Sequence, residues 1–395
     1  MNAPLQGIKV VELTTFIAAP SCGEILVWMG ADVTKIEAVT GEPYRNLKYC
    51  TNEEPVIFDA LNAGKKSLSV NAKNPEVAKL LKKLVASADV FLTNVREKSL
   101  ERLGLDYESV KDGNERLVYA HFSGYGPRGP MAAMPGYDGT AYFARFGIYR
   151  DFNDPDREPV THISGFGDIP SGVAMCLNIM SALFRRERTG KGGKVGCALN
   201  QTAAWNMVMP ITYEQFGTWY QRRDGDPLDI TSVSLPCGDG EYIYFNMGTK
   251  KQWDIMVTTI GLPELVDDPR CVTLTETCKN TRSLYGQVVE ALSKRGAQEW
   301  VDLIRGNGCP CERHHHVKEV PKDEQLIVNG FIRKVDYPTK DIMVSVPPVS
   351  SEMQIPDAAK HGEALGAHTE EILKSLGCSD ELLRQLVESG DAVVS

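Results

Sequence analysis

No run in this chain approaches the 18 consecutive apolar residues of a membrane-spanning helix, so no transmembrane segment is expected. The opening MNAPLQGIKVVEL lacks a basic stretch followed by an apolar one, so no secretory signal is read there, and a cytoplasmic location is expected. Positive charge is not in excess. Lysine and arginine total 43 against 52 acidic residues, a net charge of -9. That argues against a nucleic-acid partner, although an acidic protein can still hold a local positive pocket. The ten cysteines show no paired spacing. They scatter over positions 22, 50, 176, 197, 237, 271, 278, 309, 311 and 378, and reduced thiols are the expectation. Cys309-Pro310-Cys311 is followed by His314, His315 and His316, but the spacing is not C-x2-C and no second cysteine pair lies nearby. No metal site is expected from it. A G-x-G-x-x-G fingerprint is also missing. The first strand runs into TTFIAAPSCGE, which gives no support for a bound dinucleotide.

What is present is ample for a large core. Apolar residues make up 42% of 395 and charged residues 24%, which suits two or three globular domains without disulfide or metal staples. The first hundred residues alternate in the α/β manner. Gly7–Leu13 reads as a strand, 19–30 as a helix with Pro20 in its first turn, and 31–37 as a strand. Asn74 and Pro75 cap a helix, 89–95 is a strand, REKSLERLG a short helix and Leu117–Ser123 a strand. Such alternation implies right-handed crossovers and a mostly parallel, Rossmann-like sheet. A Gly/Pro-rich loop spans Tyr125–Tyr137, a helix is read over 138–147, and an apolar helix runs from Pro170 to Arg188. A strand at 194–199 and a helix over Gln201–Gly217 follow, and Arg222–Pro227 reads as a linker. The expected organisation is a large α/β domain over 1–220, a smaller α+β domain inserted at 221–325, and a return to the large domain over 326–395. In the small domain a strand at 241–247 and helices at 252–261, 282–295 and 297–306 are read; strands near 309–317, 329–337 and 341–346 and helices near 370–376 and 380–389 lead to the end.

Asp168 is the candidate for chemistry. It stands in Ser164-Gly-Phe-Gly-Asp168-Ile-Pro-Ser-Gly172, between a glycine-rich turn and the long apolar helix. A helix N-terminus favours negative charge on a carboxylate or on an oxyanion beside it. An enzyme carboxylate attacking a thioester would give an anhydride and then an enzyme thioester, which conserves the energy that water attack would waste. The residues alone leave a second reading open, that Asp168 is a helix N-cap.

The segment LQGIKVVELTTFIAAPSCGEILVWMGADVTKIE, then LNAGKKSLSVNAK, DVFLTNVREKSLERLGLDY, GYGPRGP, GFGD before an apolar helix, TGKG with its strand and the late ALGAHTEEIL together resemble family III coenzyme A transferases of the formyl-CoA/carnitine-CoA type, over essentially the whole chain. PGYDGTAYFARFG is most similar to the branch acting on (R)-2-hydroxy acids, which includes 2-hydroxyisocaproate and phenyllactate CoA transferases of amino-acid-fermenting anaerobes. The resemblance implies an interlocked homodimer, an acyl-CoA and a carboxylic acid as substrates, no cofactor beyond the CoA carried as substrate, and a downstream 2-hydroxyacyl-CoA dehydratase as a pathway partner. It places the nucleophile at Asp168. It implies CoA contacts from Phe16, Ile17 and Ala18, from Lys73, from Asn94, Val95 and Arg96, and from Arg102, with Lys73 and Arg102 toward phosphates. Two positions depart from the formyl-CoA branch: Ala38 stands where that branch has an arginine and Pro135 where it has a lysine, so Arg96 or Arg128 would have to supply phosphate contacts. Tyr125 and Tyr137 are candidates to wall the acyl pocket, His162 to orient the nucleophile's loop, and His121 is read as a packed histidine. The short Gly238-Asp239-Gly240 turn and Glu241 sit where relatives carry a mobile glycine loop.

Two rivals remain. An α-methylacyl-CoA racemase of the same fold would need a histidine in a G-H-D element, where this chain has Gly136-Tyr137-Asp138; a tyrosine of ordinary pKa is a poor base. A non-catalytic CoA-binding subunit would bind without turnover.

Overall fold

The computed structural model describes residues 3–47, 55–153, 158–217, 229–336, 341–354 and 361–395; the linker read at Arg222–Pro227 and Cys50 lie outside them. The strands are β1 (Lys9–Leu13), β2 (Asp32–Glu37), β3 (Lys66–Val70), β4 (Val90–Thr93), β5 (Val118–Ser123), β6 (Gly193–Ala198), β7 (Ser232–Pro236), β8 (Tyr242–Asn246), β9 (Cys311–Arg313), β10 (Ile332–Asp336), β11 (Asp341–Ser345) and β12 (Ala392–Val393). Seven of them form one sheet in the order β12-β3-β2-β1-β4-β5-β6. Every pairing in it is parallel except that of the short edge strand β12 with β3. The six parallel strands therefore follow the 3-2-1-4-5-6 order of a doubly wound sheet, and the winding reverses between β1 and β4.

Alternate side chains explain why the sheet is covered on both faces. Val10, Val33, Val90, Leu92, Val118 and Ala120 pack with helices Ala18–Trp28 and Asp168–Thr189. Their strand neighbours Val11, Ile36, Phe91 and Tyr119 pack with helix Pro75–Ala86 and the late helices Thr369–Ser375 and Asp380–Glu388. Asn74 caps the 75–86 helix as read, its Oδ1 accepting from Glu76 N at 2.9 Å.

The chain separates into two compact units, one of 1–148, 161–212 and 323–395, the other of 149–160 and 213–322. The second is built on the antiparallel sheet β7-β8-β9 with helices Lys250–Thr259, Thr281–Leu292 and Ala297–Gly306 around Trp253, Phe245 and Trp300. Its Gly238–Gly240 turn is fastened down. Gly238 N donates to Arg295 O at 2.8 Å, and Asp239 Oδ2 accepts from Ala297 N at 2.9 Å. A Cβ on Gly238 would come within 2.2 Å of Ser293 O, so the turn lies against the backbone beneath it.

Several elements differ from expectation. β7 is not among the expected strands, because SVSLP alternates small or polar residues with apolar ones too briefly to stand out. The helix read over 201–217 is two, Leu199–Asn206 and Val208–Tyr213, interrupted at Met207 three residues before Pro210. The helix read over 138–147 is a wider-wound turn, Asp138–Ala144. Cys237, Cys309 and Cys311 are buried among the apolar side chains of the second unit, and no cluster of three or more potential metal ligands occurs among the described residues. Nor is any described helix long and apolar enough to cross a membrane.

Candidate active site

Ligands of doubly wound sheets bind beyond the carboxyl ends of the strands, where the winding reverses. Here that is the crevice between the loops after β1 and β4. Thr93 Oγ1 donates to Leu13 O at 2.8 Å, which levels the two strand ends. One residue on, the Asn94 amide grips Thr15 at both ends: Thr15 N donates to its Oδ1 at 3.1 Å, and its Nδ2 donates to Thr15 O at 2.8 Å. The side chain of Asn94 is thus committed to tying the loops together, and the next residue is held as well, Val95 N donating to Thr93 Oγ1 at 3.1 Å.

Phe16 follows directly, and it is the non-glycine residue with positive φ among the described residues, at 67°. Such a conformation costs of order 1–3 kcal/mol and persists where surrounding contacts dictate it. The contacts are visible. Phe16 N donates to Glu42 Oε2 at 3.0 Å, and its ring meets Tyr44 and Tyr137 edge-on, at 5.9 and 5.5 Å. Glu42 is itself buried, which raises its pKa.

A buried ionic group underlies this loop. Glu12 and Lys35 are opposite each other in the β1–β2 register, and Lys65 reaches in from before β3. Lys35 Nζ lies 3.3 Å from Glu12 Oε1 and donates to Thr14 O at 3.1 Å; Lys65 Nζ lies 3.0 Å from the same Oε1 and donates to Pro20 O at 2.8 Å. The two lysines therefore hold both ends of the 14–20 segment by its carbonyls. Burial depresses the pKa of Lys65 and pushes the neighbouring Glu24 up to about 8.

Asp168 is the first residue of the Asp168–Thr189 helix. The N-cap is Gly167, and it makes no side-chain cap bond, so the capping reading of Asp168 does not describe this helix. Among the described residues no hydrogen bond or ion pair engages the Asp168 carboxyl. Burial, then the negative charge of Asp138, raises its pKa to about 7. The helix end offers fewer free amides than the sequence suggested, since Ile169 N is spent on Gly165 O at 3.0 Å and Pro170 has none.

The turn before Asp168 is wedged in place. Gly165 needs its φ of 87°, and a Cβ there would stand 3.0 Å from Ile17 Cδ1. Gly167 lies against the ring of Tyr142, whose hydroxyl meets the Asn206 amide. One turn on, a Cβ on Gly172 would fall 2.7 Å from Ala18 O, so this glycine sets how closely the Ala18–Trp28 helix crosses the nucleophile's helix.

Of the sequence-derived candidates, the structure gathers Phe16, Ile17, Ala18, Asn94, Tyr137 and the turn before Asp168 into one connected set. Val95 joins through its carbonyl, 2.9 Å from His121 Nε2. His121 is thus half-buried and braces the Val95 loop. Arg96, Lys73 and Arg102 are exposed, and no side-chain hydrogen bond or ion pair ties them to that set among the described residues. Tyr137 is exposed beside Phe16, whereas Tyr125 packs against the core. Sequence reasoning missed Asp138, Tyr142, Glu42 and the Glu12–Lys35–Lys65 group. Only Asp138 left a trace, in the G-Y-D element.

Comparisons with known proteins bear on the family and the fold. The model for CoA-transferase family III matches residues 5–369. An (R)-2-hydroxy-4-methylpentanoate CoA-transferase of Clostridioides difficile is 32% identical, over 98% of both chains. A cinnamoyl-CoA:phenyllactate CoA-transferase of Clostridium sporogenes is 30% identical, over 98% of this chain and 97% of its own. A crystal structure of a CAIB/BAIF family protein from Brucella suis superimposes with a TM-score of 0.81 at 29% identity, covering 95% of this chain and all of that one.

Proposed function

Because this chain belongs to CoA-transferase family III, we propose that it moves CoA from an acyl-CoA to a carboxylic acid, with an (R)-2-hydroxy acid as acceptor and Asp168 as the nucleophile. The observation that carries this reading is the unengaged carboxyl of Asp168, half-buried on a fixed turn next to Ile17 of the switch-point loop. In the first step Asp168 attacks the thioester carbonyl, giving a mixed anhydride and CoA thiolate. The thiolate then attacks the aspartyl carbonyl, releasing the donor acid and leaving an aspartyl-CoA thioester. The acceptor carboxylate attacks that thioester, a second anhydride forms, and the returning thiolate takes the acceptor's acyl group and restores Asp168. No cofactor takes part beyond CoA itself. A pKa near 7 leaves enough carboxylate at neutral pH for attack and makes it more basic than an exposed aspartate.

The hydroxy-acid assignment is supported by the names of these two relatives. Its product would be a 2-hydroxyacyl-CoA, the substrate class of a dehydratase. A panel of acids offered with one donor thioester tests it. Branched or aromatic (R)-2-hydroxy acids should exceed oxalate and unsubstituted acids by at least about tenfold in kcat/KM, a margin of ~1.4 kcal/mol; equal rates would remove the assignment.

A homodimer is part of the proposal. Val173, Leu177 and Phe184 are exposed along one helix at spacings of four and seven residues, and Trp205 and Met209 are exposed on the next two. Exposed apolar rows of this kind mark association surfaces. Sedimentation should give twice the chain mass at micromolar concentration, and a monomer there would refute it.

A further inference from the structure

Asp138 and His162 have no part in the transfer steps above, yet both lie against the nucleophile's turn. Asp138 is buried, and its carboxylate is used on both oxygens. Oδ2 accepts from Gly165 N at 2.8 Å, at the residue whose left-handed backbone shapes the turn. Oδ1 accepts from Gly139 N at 2.7 Å and lies 3.2 Å from His162 Nε2. The imidazole is in turn stacked on Phe143, with ring centres 4.4 Å apart. Phe143 belongs to the same Asp138–Ala144 turn as the carboxylate, so the histidine is clamped against one short segment by a ring and an acid.

Charge enters as well as shape. Asp138 is the charged group that faces Asp168, and its negative charge opposes ionisation there. Behind it stands His162. The loop after β1 presents Ile17 to the turn, which carries no charge. A carboxylate that accepts from an imidazole N–H has part of its charge drawn away from its neighbour.

We propose that Asp138 and His162 form a positioning pair for Asp168: the acid suspends the 163–167 turn, and the histidine holds the acid and tempers its charge, so that the nucleophile is presented in place. This rests on the reading of Asp168 as nucleophile. A merely structural fastener would lower the rate without moving the pH profile, whereas the pair as drawn controls both.

The test follows kcat/KM for the donor thioester against pH in Asp138→Asn, His162→Phe and His162→Gln. Activity requires the Asp168 carboxylate and so rises with pH through its ionisation. Asp138→Asn removes the opposing charge but keeps an acceptor for Gly165 N, so the acid limb should move down by about one pH unit. His162→Phe leaves the acid with its two backbone donors and without the imidazole. The limb should move up, with kcat lower by about tenfold, while KM for the thioester changes little. His162→Gln restores a donor and should restore most of both. Carbon-13 titration of the Asp168 carboxyl in the same variants gives the shift independently of turnover. Limbs and titrations that coincide with the parent in Asp138→Asn and His162→Phe overturn the pair. If those coincide while Asp168→Asn is inactive, the pair alone is wrong; if Asp168→Asn turns over, the nucleophile reading fails first.

Discussion

Asp168→Asn should lose transfer activity by about 10^4- to 10^6-fold in kcat while remaining folded, the scale seen when an enzyme loses its nucleophile. The amide is nearly the same size but cannot form the anhydride. Stability supplies the control. The folded-state pKa of Asp168 is raised from the ordinary 3.8 to about 7, so the folded protein holds a proton that the unfolded chain has released over that interval. Stability therefore falls as pH rises from about 4 to about 7, and the full cost is present above it. A shift of about three units corresponds to ~4 kcal/mol, which partial exposure reduces to about 1–2 kcal/mol. Asp168→Asn removes that cost. It should be more stable than the parent at pH 8 by about that amount, and no more stable at pH 4. Urea melts at both values together with steady-state rates check this. An inactive variant that is also less stable at pH 8 would attribute the loss to misfolding.

Lys65→Met should cost about 3–5 kcal/mol of folding stability, the scale for removing one partner of a buried ion pair. Lys65 is almost fully buried, donates to Glu12, Asn62 and Pro20, and sits beneath Gly23, whose Cβ would collide with Glu12. Without it, Glu12 keeps Lys35 as its one cationic partner beside the Thr14 hydroxyl, and the Pro20 carbonyl loses its side-chain donor. Because that carbonyl closes the 14–20 segment, KM for acyl-CoA should rise in the same variant. Chemical denaturation would show the stability loss as a lower midpoint with the slope unchanged. A loss under about 1 kcal/mol would mean that water reaches Glu12 and that the lysines do not anchor the loop.

These two residues show what a sequence can and cannot disclose here. The parallel sheet was legible because its strands are short β-branched runs separated by helices with readable starts, such as Asn74-Pro75. Asp168 stood out through the GFGD turn and the apolar helix after it, with the family resemblance deciding between nucleophile and cap. The ionic anchor was not legible. Glu12 and Lys65 are 53 positions apart, and a charge within a strand normally reads as a solvent-facing residue. Asp138 and His162 are 24 apart and meet only because the nucleophile's turn folds back on the 138–144 segment. Nor does any local signal mark Phe16, whose left-handed backbone is imposed by Glu42 and two aromatic rings from distant segments. Local pattern reports period and caps; it does not report which polar groups satisfy one another across the core.

The proposed mechanism leaves an isotopic trace on one side chain. When the acceptor acid carries oxygen-18 in its carboxyl group, the second anhydride links that acid to Asp168 through a labelled oxygen, and thiolate attack on the acceptor carbonyl leaves the label behind on the aspartate. Peptide mass mapping after turnover should find heavy oxygen in Asp168 and no incorporation from labelled water. Label absent from Asp168 after many turnovers, or entering it from water, would contradict the account.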